Sequence, residues 1–231
     1  MPEPCCAGCY DATFDAAKAR AEVRRYRRRG ASRATLALAD ALGANDAEGR
    51  TVLDIGAGVG ALHHLLLGRG AVSATDVDAS APYLDAAREE ASRLGLQDRV
   101  EFRYGDFVAL ASGIEPADLV ALDRVVCCYP DVDALVELAA RRTRRRLGIV
   151  LPPEGIGAGL VIGISNLWYR VIRSPYRAYV HRFDRVAAAA RAGGLEPAGQ
   201  VAVGMWRLLV FERREFKGQP AFPGPSPALR S

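Results

Sequence analysis

"TVLDIGAGVG", residues 51–60, decides the fold. Thr51 to Ile55 are apolar or β-branched apart from Asp54, the composition of a strand covered on both faces. Gly56, Gly58 and Gly60 follow at alternate positions, and a turn so rich in glycine can take up backbone conformations closed to other residues. "GALHHLLLGRG" (60–70) then reads as a helix closed by Gly68 or Gly70. Strand, glycine turn and helix together predict the first unit of a doubly wound α/β sheet.

The rhythm continues outward. "AVSATDV" (71–77) is a second strand. "SAPYLDAAREEASRLG" (80–95) is a helix, with Ser80 as cap, Pro82 in the first turn and Gly95 at its end. "RVEFRY" (99–104) is a third strand, followed by a short helix from Asp106, and "ADLVALD" (117–123) is the fourth. "DVDALVELAARRTRRR" (131–146) reads as a helix with cations in its last turns, and "LGIVLPP" (147–153) as strand five. After the helix "DRVAAAARAGG" (184–194), the strands "EPAGQVAVG" (196–204) and "WRLLVFER" (206–213) are close enough to pair as a hairpin. The expected fold is a doubly wound, mostly parallel seven-stranded sheet with a C-terminal antiparallel hairpin. Residues 1–49 are expected to form a helical cap over the active site, with 50–213 the main domain. Within that domain 153–181 is a substrate-facing insertion. The Pro- and Gly-rich end of 214–231 is expected to be disordered.

Composition bounds the class. The 231 residues suit one domain, half of them hydrophobic and a quarter charged, with a formal net charge of +4. All the lysine is Lys18 and Lys217, so the positive charge is almost entirely arginine, and the excess is too mild to imply nucleic acid. No basic stretch leads into an apolar run at the N-terminus, so a cytoplasmic protein is expected. Five cysteines (Cys5, Cys6, Cys9, Cys127, Cys128) in adjacent pairs suit reduced thiols, and Cys6-x-x-Cys9 has no second pair to complete a zinc set.

Two ligands compete for the glycine turn. Gly56, Gly58 and Ala61 satisfy the dinucleotide pattern G-x-G-x-x-G/A, while Gly56, Gly58 and Gly60 satisfy the G-x-G-x-G of methyl-donor sites. Charge separates them. A pyrophosphate seeks bare N–H groups without an anion beside them, whereas S-adenosylmethionine brings an ammonium and a sulfonium that suit Asp54. The bland alternative for Asp54 is a hydrogen-bonded carboxylate at a strand end. Asp76 and Asp78, 20 and 22 residues after Gly56, can both reach ribose hydroxyls, and strand alternation points them the same way.

These features resemble the class I S-adenosylmethionine-dependent methyltransferases over roughly residues 50–213. "VLDIGAGVG" (52–60) is similar to their first motif, which implies donor contacts from Asp54, Gly56, Ala57, Gly58 and Gly60. "DVDAS" (76–80) resembles their acidic strand end, with Asp78 as ribose ligand, and "GDF" (105–107) their adenine motif, with Asp106 and Phe107 at the base. Leu122 and Asp123 would line the methionine part. "RRYRRRG" (24–30), "CCYPD" (127–131) and "RAYVH" (177–181) further resemble the magnesium-protoporphyrin O-methyltransferases. That resemblance implies Tyr26, Tyr129 and His181 as catalytic candidates. Cys128 stands where those enzymes carry a histidine base, which departs from their chemistry. A cysteine there acts as base only with a lowered pKa.

The resemblance implies O-methylation of a small acceptor. Leu160, Ile164, Leu167 and Val171 recur at helical spacing, either as a stripe packed on the domain or as an apolar lid touching a membrane surface. Of His63 and His64, one is expected to face solvent and the other to pack near the donor. RNA methylation is disfavoured because "RRTRRR" (141–146) ends a helix away from the donor edge, as solvated charge. Donor binding without catalysis is the remaining alternative.

Overall fold

The computed structural model describes residues 10–11, 13–43, 46–174 and 176–216. Two helices, α1 (Ala16–Arg29) and α2 (Arg33–Gly43), precede the sheet. Then follow β1 (Thr51–Ile55), α3 (Ala61–Gly68), β2 (Ser73–Asp78), α4 (Ala81–Arg93), β3 (Val100–Tyr104), α5 (Phe107–Leu110) and β4 (Ala117–Asp123). The chain continues through α6 (Val132–Arg141), β5 (Thr143–Leu151), α7 (Ile156–Val171), α8 (Phe183–Ala192), β6 (Leu195–Val203) and β7 (Trp206–Arg213). The seven strands lie in the order β3-β2-β1-β4-β5-β7-β6. All neighbours are parallel except β5 with β7 and β7 with β6. The expected sheet is the observed one.

Alternation along the strands builds two cores. Leu53 and Ile55 of β1, with Val120 and Leu122 of β4, face α6 and α8, where Val132, Leu135, Val136, Val186 and Ala190 meet them. Val52, Leu119 and Ala121 face the other way, onto Leu38 and Leu42 of α2 and Leu62, Leu66 and Leu67 of α3. Gly148 in β5 allows α2 its close approach, since a Cβ there would stand 2.3 Å from Leu38 Cδ1. A third, smaller cluster sits outside both, formed by Ala19 and Val23 of α1 with Val59, Tyr83 and Ala86.

Three local readings need correction. The arginines of "RRTRRR" do not all belong to the helix, because α6 ends at Arg141 and β5 begins at Thr143. The reason is a cross-strand partner, for Arg146 lies opposite Glu212 of β7 and Arg146 Nε donates to Glu212 Oε1 at 2.6 Å, both side chains buried. Neither His63 nor His64 faces solvent, since His63 bonds Asp54 of β1 and His64 stacks on Tyr26 of α1. At the C-terminus, Arg214–Phe216 forms one 3-10 turn, and residues 217–231 of the expected tail lie outside the described residues. Cys5, Cys6 and Cys9 lie outside them too. Cys127 and Cys128 are free thiols.

Candidate methyl-donor site

β1 and β4 are neighbours, so strand order reverses between them and leaves a crevice at their carboxyl ends. A cavity of about 240 Å3 opens there. Its wall includes Asp54 of β1, Gly56, Ala57 and Gly58 of the glycine turn, Asp78 at the end of β2, Asp106 and Phe107 after β3, Asp123 at the end of β4 and Arg124 just past it. Eight of the eleven donor-binding candidates thus meet at one place. Gly60, Asp76 and Leu122 are not among its lining residues, and Leu122 packs into the sheet core.

The turn needs its glycines. Gly56 has φ +66°, and a Cβ on it would lie 2.5 Å from Val125 Cγ2. Gly58, at φ +61°, turns its N–H onto Asp78 Oδ2 at 3.0 Å, while Asp78 Oδ1 accepts from Ser80 N at 2.8 Å. Desolvation raises the Asp78 carboxyl to about 6 despite those two hydrogen bonds.

Behind the turn lies a buried acid and histidine group. Asp54 Oδ2 shares a hydrogen bond of 3.0 Å with His63 Nδ1, and Asp54 Oδ1 has no protein partner among the described residues. An orphaned carboxylate oxygen at a cavity wall fits an ammonium. Asp76 pairs with Asp54 in strand register and is fully buried with neither oxygen partnered among the described residues, and burial, then the charges of Asp54 and Asp78, push its pKa well up. Burial lowers His64 to about 3, and the ring stacks on Tyr26 at 6.2 Å.

Of the four catalytic candidates, Cys128 and Tyr129 line the cavity and Tyr26 and His181 do not. Tyr129 donates its hydroxyl to Asp106 Oδ2 at 2.9 Å. Tyr176 donates its own to Cys128 Sγ at 2.9 Å. The neighbouring Cys127 thiol and the Tyr176 hydroxyl lower the Cys128 pKa against its burial. His181 is buried, with Nε2 bonded to the Tyr129 carbonyl at 2.9 Å, and burial depresses its pKa.

Sequence reasoning expected a cap from residues 1–49 but did not name the residues of it that line the cavity. Tyr10, Phe14 and Glu22 line the cavity, as does Thr35, whose hydroxyl donates to Asp123 Oδ2 at 2.6 Å. The one available signal was the aromatic pair Tyr10 and Phe14 at helical spacing. Arg124 was missed as well. It holds a left-handed φ of +65°, a strained conformation for a non-glycine residue, and its guanidinium pairs with Asp123 at 2.9 Å.

Residues 52–146 match the methyltransferase domain family. Residues 52–146 are a methyltransferase domain within a sheet of the class I methyltransferase fold. The donor used by such domains is S-adenosylmethionine, and the acid-lined turn fits it. Among solved structures, this methyltransferase fold is shared with magnesium protoporphyrin IX methyltransferase from Synechocystis PCC 6803 with bound SAH. That pair has 24% identity and a TM-score of 0.62, covering 78% of this chain and 81% of that one. An O-methyltransferase family protein from Burkholderia thailandensis aligns with a TM-score of 0.68 at 20% identity, covering 88% of this chain and 62% of that one. A geranyl diphosphate methyltransferase in complex with GPP and sinefungin aligns with a TM-score of 0.63 at 17% identity, covering 78% and 76%. No curated protein matches the chain.

Proposed function

We propose that the chain transfers a methyl group from S-adenosylmethionine to an oxygen of a small apolar or amphipathic metabolite. The observation that carries this reading is a single cavity whose wall joins Asp54, Asp78 and Asp106 to the aromatic side chains Tyr10, Phe14 and Tyr129. An acidic wall suits a cationic donor, and an aromatic wall suits an apolar acceptor. The neighbours lend support, since one is a geranyl diphosphate methyltransferase in complex with GPP and another a magnesium protoporphyrin IX methyltransferase. We read residues 1–49 as the cover of this cavity and 153–181 as its acceptor-side insertion. Peripheral contact with a membrane belongs to the same reading.

The donor, when bound, supplies an electrophilic methyl on sulfur. In this reading Asp54 takes its ammonium, with His63 fixing the carboxylate, while Gly56, Ala57 and Gly58 bring backbone close to it. Asp78 takes the ribose hydroxyls, Asp106 and Phe107 hold the adenine, and Asp123 borders the methionine end. Cys128 faces the acceptor. As a thiolate it receives the proton that leaves the acceptor oxygen, and Tyr176 steadies that thiolate. Tyr129 orients Asp106. Neither Tyr26 nor His181 is needed as a base in this arrangement, because neither lines the cavity.

Two expected outcomes follow. Asp78 must be ionised to serve as an acceptor, and burial has raised it to about 6. Donor affinity is therefore full above that pH and weakens about tenfold per unit below it, a trend that titration calorimetry from pH 7.5 to 5 measures. Cys128→Ser should lower kcat about a hundredfold with unchanged donor affinity, and Tyr176→Phe should move the alkaline-rising limb of the kcat profile to higher pH. An unaltered kcat in Cys128→Ser would remove the thiolate from the reaction.

The deciding experiment supplies donor with a labelled methyl group to the protein and to separated lipid, small-metabolite, RNA and protein fractions. Label in the lipid or small-metabolite fraction supports the proposal. Label in RNA makes α1, with Arg24, Arg25, Arg28 and Arg29 exposed, the substrate platform instead. Measured donor affinity with no labelled product would leave a binding protein without catalysis.

A further inference from the structure

The apolar stripe foreseen on residues 160–171 points outward. Leu160, Val161, Ile164, Leu167, Trp168, Val171 and Ile172 are each 52–67% exposed. At 100° per residue they fill one arc of about 140° on α7. The opposite face fixes the helix. Asn166 Nδ2 donates to the Ala178 carbonyl at 2.8 Å, and the Ala178 N–H donates to Asn166 Oδ1 at 2.8 Å. Tyr169 packs edge-on against Tyr176 with ring centroids 4.9 Å apart. The helix therefore cannot roll its apolar face inward without breaking these contacts.

The charge beside the arc has one sign. From residue 155 to 183 there is no acidic side chain, while Arg170, Arg173, Arg177 and Arg182 fall in the segment. Arg170 and Arg173 are exposed and form no ion pair among the described residues. Arg170 lies about 60° beyond the edge of the arc. No helix among the described residues is long and apolar enough to cross a membrane.

We infer that α7 lies in the interface of an anionic lipid bilayer, with its seven apolar side chains inserted and Arg170 and Arg173 at the headgroups. Apolar insertion and attraction to anionic lipid add in such helices. A second copy of this chain suits the face less well. Pairing two such helices would bring their arginines together with no acid in either segment to neutralise them. The helix also leads to the cavity, since Tyr176 bonds Cys128 and meets Phe14, a lining residue, edge-on at 5.6 Å. Resting on the proposed methyl transfer, this route lets an amphipathic acceptor reach the site from the bilayer.

Flotation of the full chain with phosphatidylcholine vesicles, with and without 30% phosphatidylglycerol, tests the inference. The wild type should float with the anionic vesicles and emit at shorter wavelength as Trp168 enters the lipid. Ile164→Asp/Leu167→Asp should abolish flotation, and Arg170→Glu/Arg173→Glu should weaken it about 25-fold or more. Each variant is checked for retained S-adenosylhomocysteine binding, which reports an intact fold. Wild type that stays unbound to both vesicles overturns the inference, as does equal binding to both. So does a dimer by sedimentation that Ile164→Asp/Leu167→Asp converts to monomer without any lipid binding. Flotation in a protein that binds no S-adenosylhomocysteine would keep the lipid surface and remove the donor reading.

Discussion

Asp78→Ala should weaken S-adenosylmethionine binding about a hundredfold or more while the chain stays folded. The carboxylate has two tasks. Facing the turn, it accepts from Gly58 N and Ser80 N, which holds the glycine loop against the end of β2. Facing the cavity, it is the acceptor proposed for the ribose hydroxyls. Hydrogen bonds to a charged group are each worth about 1.5–3 kcal/mol, so losing two amounts to about 3 kcal/mol or more. That is at least about a hundredfold in the dissociation constant. Asp78→Asn keeps the shape without the charge and should fall between the two. Gly58→Val should reach the same loss by another route, since φ is +61° there and the branched side chain would project into the cavity. Calorimetry with S-adenosylhomocysteine, alongside thermal melts, reads both quantities. Unchanged affinity in Asp78→Ala and Gly58→Val, with unchanged melts, would place the donor elsewhere.

The second large effect is structural. Arg146→Met should destabilise the fold by about 3–5 kcal/mol, because Glu212 would remain buried without its partner. In a domain of this size that corresponds to a fall of about 10 °C or more in Tm. The double variant Arg146→Met/Glu212→Leu should recover most of the loss, since two apolar side chains on paired strands pack without a desolvated charge. A double variant as unstable as the single one would mean that the ion pair itself, rather than the abandoned carboxylate, sets the stability of the β5–β7 pairing.

Arg146 also shows where reading the sequence met its limit. Strand periodicity and glycine punctuation are local properties, so β1, its turn and a mostly parallel seven-stranded sheet ending in an antiparallel hairpin were legible from residues near one another. The start of β5 was not. Helix cations and strand cations look alike in a run of arginines, and what separates them is Glu212, 66 residues further on. The same holds for the two histidines. A helix periodicity assigns His63 and His64 to different faces, yet both are buried because α1 closes over the face that would otherwise be wet. That Asp54, Asp78 and Asp106 would meet at one cavity was legible because strand ends in a doubly wound sheet share one edge. Tyr10, Phe14 and Thr35 were not, since their position depends on how the N-terminal segment folds back. For α7, periodicity showed a stripe, and only the fold shows that none of the described residues covers it.

That fold-back carries a consequence for the order of events in the chain. The segment from Tyr10 to Arg29 is tied down by Asp11 to Ala81, Phe14 to Ser80, Arg27 to Glu90 and Tyr10 to Cys128, each spanning 63 to 118 residues of sequence. Its buried side chains form a cluster separate from both cores of the sheet. It is made before the rest of the domain, yet it has nothing to dock on until β2, α4 and the turn after β4 exist. Ties that are few and long in sequence, beside one small apolar cluster, are the pattern of a unit that opens locally without the sheet, and faster amide exchange in α1 than in β1 and β4 is the expected result. On the proposed reading of residues 1–49 as the cavity's cover, opening of that kind would let a reacted molecule leave while the sheet stays intact, pacing turnover independently of the chemistry.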